Sequence, residues 1–177
     1  MAIGQNDKYE EFIIGDKIYK PGSAWFKLSS GPSYNLNLET IESSSNLSYS
    51  FRVKDSYFQL GYHTSSNTFF TLRSYQKLND LYVSYGIRRE TKKTNISAFA
   101  GPSFSYGGHY FDTDPYGRKR YKGFTQLGLI INAEYTMKIF YDLGLGISAF
   151  GSFNRNYRVI GIQVHLYLSG ALKGKIN

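Results

Sequence analysis

The chain has 177 residues, enough for one domain, with 17 Tyr, 13 Phe and 18 Gly against only 4 Pro, a balance that favours β structure over helix. Zero Cys excludes disulfides, thiolate metal sites and cysteine nucleophiles. No apolar run reaches the roughly 18 residues of a transmembrane helix, and the net charge of +8 is spread along the chain. That spread suits solvated turns or anionic lipid head groups, not a nucleic-acid stripe with aromatics between the cations.

Residues 1–22 are mixed and polar and read as an N-terminal periplasmic arm in which Phe12-Ile13-Ile14 packs locally. They lack the charged start and apolar core of a signal peptide, so the expectation is a mature exported chain behind an added Met. A first strand spans 23–33, with Ala24, Phe26 and Leu28 on one face. The Asn/Ser-rich stretch 34–45 is turn-prone. The second strand, 46–54, sets Leu47, Tyr49, Phe51 and Val53 against Ser48, Ser50 and Arg52. Lys54-Asp55 makes a tight turn. The third, 56–64, sets Phe58, Leu60 and Tyr62 against Tyr57, Gln59, Gly61 and His63, and a long connection follows to Asn79.

The fourth strand, 80–89, has Leu81, Val83, Tyr85 and Ile87 opposite Tyr82, Ser84, Gly86 and Arg88. A short turn, 91–94, leads to the fifth, 95–106, where Pro102 predicts a bulge or a strand end. A basic loop covers 107–122. The sixth strand, 123–136, alternates Leu127, Leu129, Ile131, Ala133 and Tyr135 with Gln126, Gly128, Asn132 and Glu134. The seventh, 140–150, sets Leu143, Leu145 and Ile147 against Asp142, Gly144 and Gly146. The eighth, 157–169, sets Ile160, Ile162, Val164, Leu166 and Leu168 against Val159, Gly161, Gln163, His165 and Tyr167.

A period of two marks strands with two different environments. Eight such strands, with short connections after the second, fourth and sixth and longer ones after the first, third and fifth, predict an all-β, eight-stranded antiparallel up-and-down transmembrane β-barrel. The expected organisation is an arm at 1–22, the barrel at 23–170 and a C-terminal tail at 171–177. Both ends of the chain then lie in the periplasm.

Gly31-Pro32-Ser33-Tyr34, Gly101-Pro102-Ser103-Phe104, Leu143-Gly144-Leu145-Gly146 and the closing strand Ile160 to Leu168 resemble the small eight-stranded outer-membrane barrels. Within these, the chain most resembles the Bacteroidetes-type outer-membrane β-barrel families. The resemblance covers about residues 23–170. It implies the outer membrane of a Gram-negative bacterium and a non-enzymatic structural or interaction role.

Eight strands enclose a lumen that side chains can fill. The inward candidates are Lys27, Arg52, Gln59, Arg88, Gln126, Asn132, Glu134, Asp142, Gln163 and His165. Arg52, Arg88, Glu134 and Asp142 fall near the periplasmic end, where buried charges must pair; they are the expected polar network closing the interior. Aromatic girdles are expected from Trp25, Tyr135, Phe140 and Tyr141 on the periplasmic side, and from Tyr34, Tyr106, Phe124, Phe153 and Tyr157 on the outer side. Arg118, Lys119, Arg120 and Lys122 form the densest basic cluster, the candidate contact for lipopolysaccharide phosphates or for a larger membrane protein complex. No metal or cofactor is expected: Asp112 and Asp114 are too few ligands for calcium.

Two other readings stand beside this one. His63-Thr64-Ser65 resembles the base and nucleophile of lipid A deacylase barrels, but that chemistry needs an orienting carboxylate, and no Asp or Glu lies between Ser65 and Asn79 in sequence. A soluble lipocalin-like barrel for an apolar ligand requires the faces inverted, with the apolar side inward.

Overall fold

A computed structural model describes residues 11–67, 77–113 and 119–175, and within them the chain is all β. A small hairpin, β1 (Phe12–Ile14) and β2 (Lys17–Tyr19), comes first. Eight long strands follow: β3 (Trp25–Asn35), β4 (Thr40–Val53), β5 (Ser56–Ser66), β6 (Lys77–Glu90), β7 (Thr94–Thr113), β8 (Lys119–Lys138), β9 (Leu143–Phe153) and β10 (Arg158–Ser169). Each pairs antiparallel with its chain neighbours, and β10 returns to β3 from Val159↔Asn35 to Ser169↔Trp25, closing the barrel. The last strand, β11 (Leu172–Lys175), pairs with β2.

The alternation decides which side faces out. Along β10, Ile160, Ile162, Val164, Leu166 and Leu168 are exposed, while Val159, Gln163, His165 and Tyr167 are buried. The same holds around the wall: apolar side chains cover the outside and serines, amides and charges fill the inside. A soluble monomer rarely exposes more than a few hundred Å² of contiguous apolar surface. A closed barrel leaves no unpaired edge, which is what lipid demands of backbone polar groups. β3, β5 and β9, at 11 residues each, meet the roughly 9–11 that a tilted strand needs to span a bilayer. The fold is therefore an eight-stranded transmembrane barrel, and the inverted, lipocalin-like arrangement is not the one the chain adopts.

The expected contrast between short turns and long loops is weaker than the sequence suggests, because strands extend into the loops. β3 and β4 are joined by 36–39 alone. The serines of 43–45 that read as turn formers pair along the wall, and the Ser44 hydroxyl donates to the Gly31 carbonyl at 3.0 Å. β7 and β8 take up most of the expected basic loop and run 20 residues each. Conversely, the seventh strand begins late, at Leu143. Residues 139–142 are a turn in which the Ile139 and Phe140 amides donate to the Leu143 carbonyl at 2.9 and 3.0 Å.

Pro102 neither ends β7 nor shifts its register. Pairing with β8 runs through it (Gly101↔Ile130, Pro102↔Leu129). Pairing with β6 lapses only between Tyr82↔Ser103 and Tyr85↔Ala100, where proline has no N–H to give. The other Gly-Pro-Ser motif repeats this: β3–β10 pairing lapses between Gly161↔Ser33 and Val164↔Ser30. In both, the neighbouring strand presses its carbonyl (Ile162 or Val83) into the space a Cβ on Gly31 or Gly101 would need. Only glycine permits that approach.

The first and last described strands join in one sheet. β1, β2 and β11 form a three-stranded sheet at the barrel end where the chain enters and leaves, here the terminal end. Tyr19 packs on Tyr141 and Ala171 beneath it, and the Lys20 amide donates to the Ala171 carbonyl at 2.9 Å.

Candidate functional site

Inside the barrel the polar residues are held in separate clusters along the axis, between an aromatic layer at the terminal end and a mixed apolar layer at the other. Near the middle, Lys27 on β3 reaches across the lumen to Glu134 on β8, Nζ to Oε1 at 2.5 Å, with both side chains about 1% exposed. Glu134 also accepts from Gln59 at 3.0 Å and from Ser97 at 3.0 Å. Farther from the chain ends, Asp80 on β6 accepts from Ser105 at 2.5 Å and Ser152 at 2.7 Å and lies 3.2 Å from His63 Nδ1. Glu42 on β4 accepts from Asn35 at 2.9 Å, Ser65 at 2.8 Å and the Tyr157 hydroxyl at 2.5 Å. Above these, Leu78, Phe124, Phe150, Tyr157 and Val159 form the far-end apolar layer.

The terminal mouth is closed by Trp25, Tyr57, Phe99 and Tyr167, whose ring centroids lie 5.9–6.3 Å from that of Trp25. The Arg88 guanidinium sits 4.1 Å from the Trp25 ring centroid. It donates to Asn95 Oδ1, the Ser23 carbonyl and the Tyr167 hydroxyl, and pairs with Glu90 at 3.0 Å. Glu90 in turn pairs with Lys138 at 2.5 Å and accepts the Gly22 amide at 2.9 Å. The Lys138 ammonium lies 3.6 Å from the Tyr141 ring centroid. Burial, and then the Glu90 carboxylate, push the Tyr141 hydroxyl above its ordinary range.

The four residues expected to form one network are thus distributed. Arg88 and Glu134 are both inward, but each has its own partner, Glu90 and Lys27. Arg52 faces inward but sits half-buried at the mouth opposite Tyr57. Asp142 is not on the wall at all: it belongs to the 139–142 turn, and its carbonyl accepts the Ser169 amide. The girdles also differ. Trp25, Phe124, Tyr141 and Tyr157 are buried, whereas Tyr34, Tyr106, Tyr135 and Phe140 are exposed. Trp25 shares its parity with Lys27, which is the signal that places it inside. On the outer wall near the terminal end, an aromatic row runs Tyr49, Phe51, Phe58, Tyr85 at 5.7–6.0 Å spacing.

Glu42 and Asp80 supply the carboxylates that the His63-Thr64-Ser65 reading lacked, but not in a catalytic order. Ser65 donates to Glu42 and His63 faces Asp80, so the two never meet as nucleophile and base. Both point into the lumen, with Ser65 1% and His63 0% exposed, out of reach of a lipid outside.

At the far end the β7–β8 hairpin projects. β9 accompanies it only to Leu129, and among the described residues its pairing with β6 reaches Gly108. Past those points it carries exposed Arg120, Lys122 and Phe111, with the Lys122 ammonium 5.7 Å from the Phe111 ring centroid. Lys119 opens β8, Asp112 is exposed, and Arg118 and Asp114 lie outside the described residues.

No family model matches the chain, and no curated protein sequence does. Solved structures do. Neisserial surface protein A superposes with a TM-score of 0.64 at 14% identity, covering 82% of this chain and 96% of that one. Ail, the attachment invasion locus protein of Yersinia pestis, gives 0.56 at 12%, over 84% and 97%. The N-terminal β-barrel domain of Pseudomonas aeruginosa OprF gives 0.54 at 10%, over 83% and 98%. These are small outer-membrane barrels. At such identities the shared property is the fold, over nearly the whole of each barrel.

Proposed function

We propose that the chain is a non-enzymatic outer-membrane protein of a Gram-negative bacterium, with a closed, structural interior. Its working surface is the projecting β7–β8 hairpin. The observation that carries this is the lumen: an aromatic layer shuts one end and a mixed apolar layer the other, and the described inner charges are hydrogen-bonded or ion-paired. Among the described residues, that arrangement keeps His63 and Ser65 buried and gives Lys27, Glu42, Asp80 and Glu134 partners within the wall. The terminal sheet then lies in the periplasm and the hairpin outside. The Gly-Pro-Ser motifs support a Bacteroidetes-type origin as part of the same proposal.

Lys122 stands beside Phe111 on this hairpin with Arg120 exposed near it, and Arg118 and Lys119 precede them in sequence, so the cluster offers guanidinium and ammonium groups to phosphates with apolar contact alongside. Arg forks suit phosphate by two parallel hydrogen bonds. The ligand class we assign is the phosphorylated core of lipopolysaccharide. Charge-assisted contacts contribute about 1.5–3 kcal/mol each, so changing all four cations to Gln should weaken lipopolysaccharide binding by the folded barrel at least about tenfold. Dephosphorylated lipopolysaccharide should bind wild type no better than the variant binds the intact form. Equal affinity of wild type and variant would remove this role and leave a protein partner for the hairpin.

A further inference from the structure

We propose that a groove on the outside of the terminal end seats one anionic phospholipid of the periplasmic leaflet. This rests on the membrane-barrel reading above. The groove, about 440 Å³, lies between β2, the β6–β7 turn and the β8–β9 turn.

Its floor is apolar and open. Ile14, Met137, Ile139 and Phe140 are 43–63% exposed. Met137 pairs with Leu145 across β8–β9, and both are exposed on the lipid-facing wall. The acyl-facing surface therefore runs into the groove without a polar break. A soluble occupant gains nothing from that continuity; a lipid tail does.

Its rim is cationic. Among the described residues, the lining holds Lys92, Lys93 and Lys138 and no carboxylate. Lys138 pairs with Glu90 and stands over the Tyr141 ring. Lys92 and Lys93 are exposed on a turn that is itself fixed. The Lys93 and Thr94 amides donate to the Thr91 hydroxyl at 3.2 and 2.9 Å, and the Lys93 carbonyl accepts the Lys138 amide at 2.8 Å. Across the groove, the Lys17 ammonium stands 5.8 Å from the Phe140 ring centroid. An apolar floor joined to the bilayer and a rim of lysines at head-group level fit a phosphodiester with its tails against the wall. Lipopolysaccharide belongs to the opposite end under the same reading, so the occupant is a glycerophospholipid.

The test uses the full chain, folded in detergent and shown by a heat-shifted gel band to be a barrel. It is placed in nanodiscs of equimolar phosphatidylglycerol and phosphatidylcholine with matched tails. After release into mild detergent, retained lipid is counted by native mass spectrometry. Wild type should keep phosphatidylglycerol in preference. Two lysines near a membrane surface together contribute on the order of 2 kcal/mol toward anionic lipid, so Lys92→Gln/Lys93→Gln should cut the preference about thirtyfold. Lys54→Gln/Lys173→Gln, at the same end but off the groove, should leave it intact. Equal retention of the two lipids by wild type overturns the proposal. So does a preference that survives the groove variant, or one that the control variant loses equally, which marks a diffuse field and not a site. A chain with no heat-shifted band fails the barrel reading itself, and the groove falls with it before any lipid is counted.

Discussion

Glu134→Ala should destabilise the folded barrel by about 3–5 kcal/mol, the cost of removing one partner from a buried ion pair. Glu134 is the only carboxylate on Lys27 among the described contacts, and both are sealed in the lumen. The variant leaves an ammonium group buried in the lumen without that carboxylate, and with the His165 imidazole in electrostatic range. Lys27→Met should cost less, because Glu134 keeps the hydrogen bonds from Gln59 and Ser97. The double variant Lys27→Met/Glu134→Gln removes both charges and should recover most of the loss, since replacing a whole buried pair is often close to neutral. The readout is urea unfolding followed by Trp25 fluorescence, which is unambiguous because the chain has one Trp. Single variants within about 1 kcal/mol of wild type, the scale of an exposed pair, would mean that water reaches Lys27 freely and that the lumen is not packed.

Arg88→Ala should be of similar size, about 3 kcal/mol or more, by the same argument for a broken buried pair. It removes the cation over Trp25, the bonds to Asn95, Ser23 and Tyr167, and one of the two cations on Glu90. Arg88→Lys should recover less than half of this loss. An ammonium keeps the charge but cannot lie flat on the indole while its fork serves three acceptors. The measurement is the temperature at which the compact gel band converts to the extended one. Full recovery by lysine would show that the mouth needs only a charge, and that the stacked geometry is incidental.

Much of the fold is legible in the sequence because a strand has a period of two and each wall residue has only two choices. That parity places Lys27, Gln59, Asn132, Glu134, Gln163 and His165 inside, where the structure has them. What it does not supply is who meets whom across the lumen. Lys27 and Glu134 sit on strands that are not neighbours, and their meeting depends on the stagger of the closed barrel, not on local spacing. The charges Glu42, Glu90 and Lys138 are hidden in the sequence for a different reason. Glu42 lies in a Ser/Asn-rich stretch that reads as a turn, and Glu90 and Lys138 lie at strand ends, where alternation fades. Residue type draws Trp25 to the membrane interface, although its parity points inward. The terminal sheet is built from strands of three and four residues, too short to show any period. The groove above Met137 and Phe140 comes from two turns and the β1–β2 hairpin brought together, which no single segment encodes.

The most direct test of a lipid-facing exterior around a packed interior is gel mobility with and without heating, on chain folded with and without detergent. A folded transmembrane barrel should run faster unheated than heated, and should precipitate or aggregate when detergent is withheld. A monodisperse protein in plain buffer, with no shift on heating, would contradict the account, because its apolar outer wall would then have to be covered by something other than lipid.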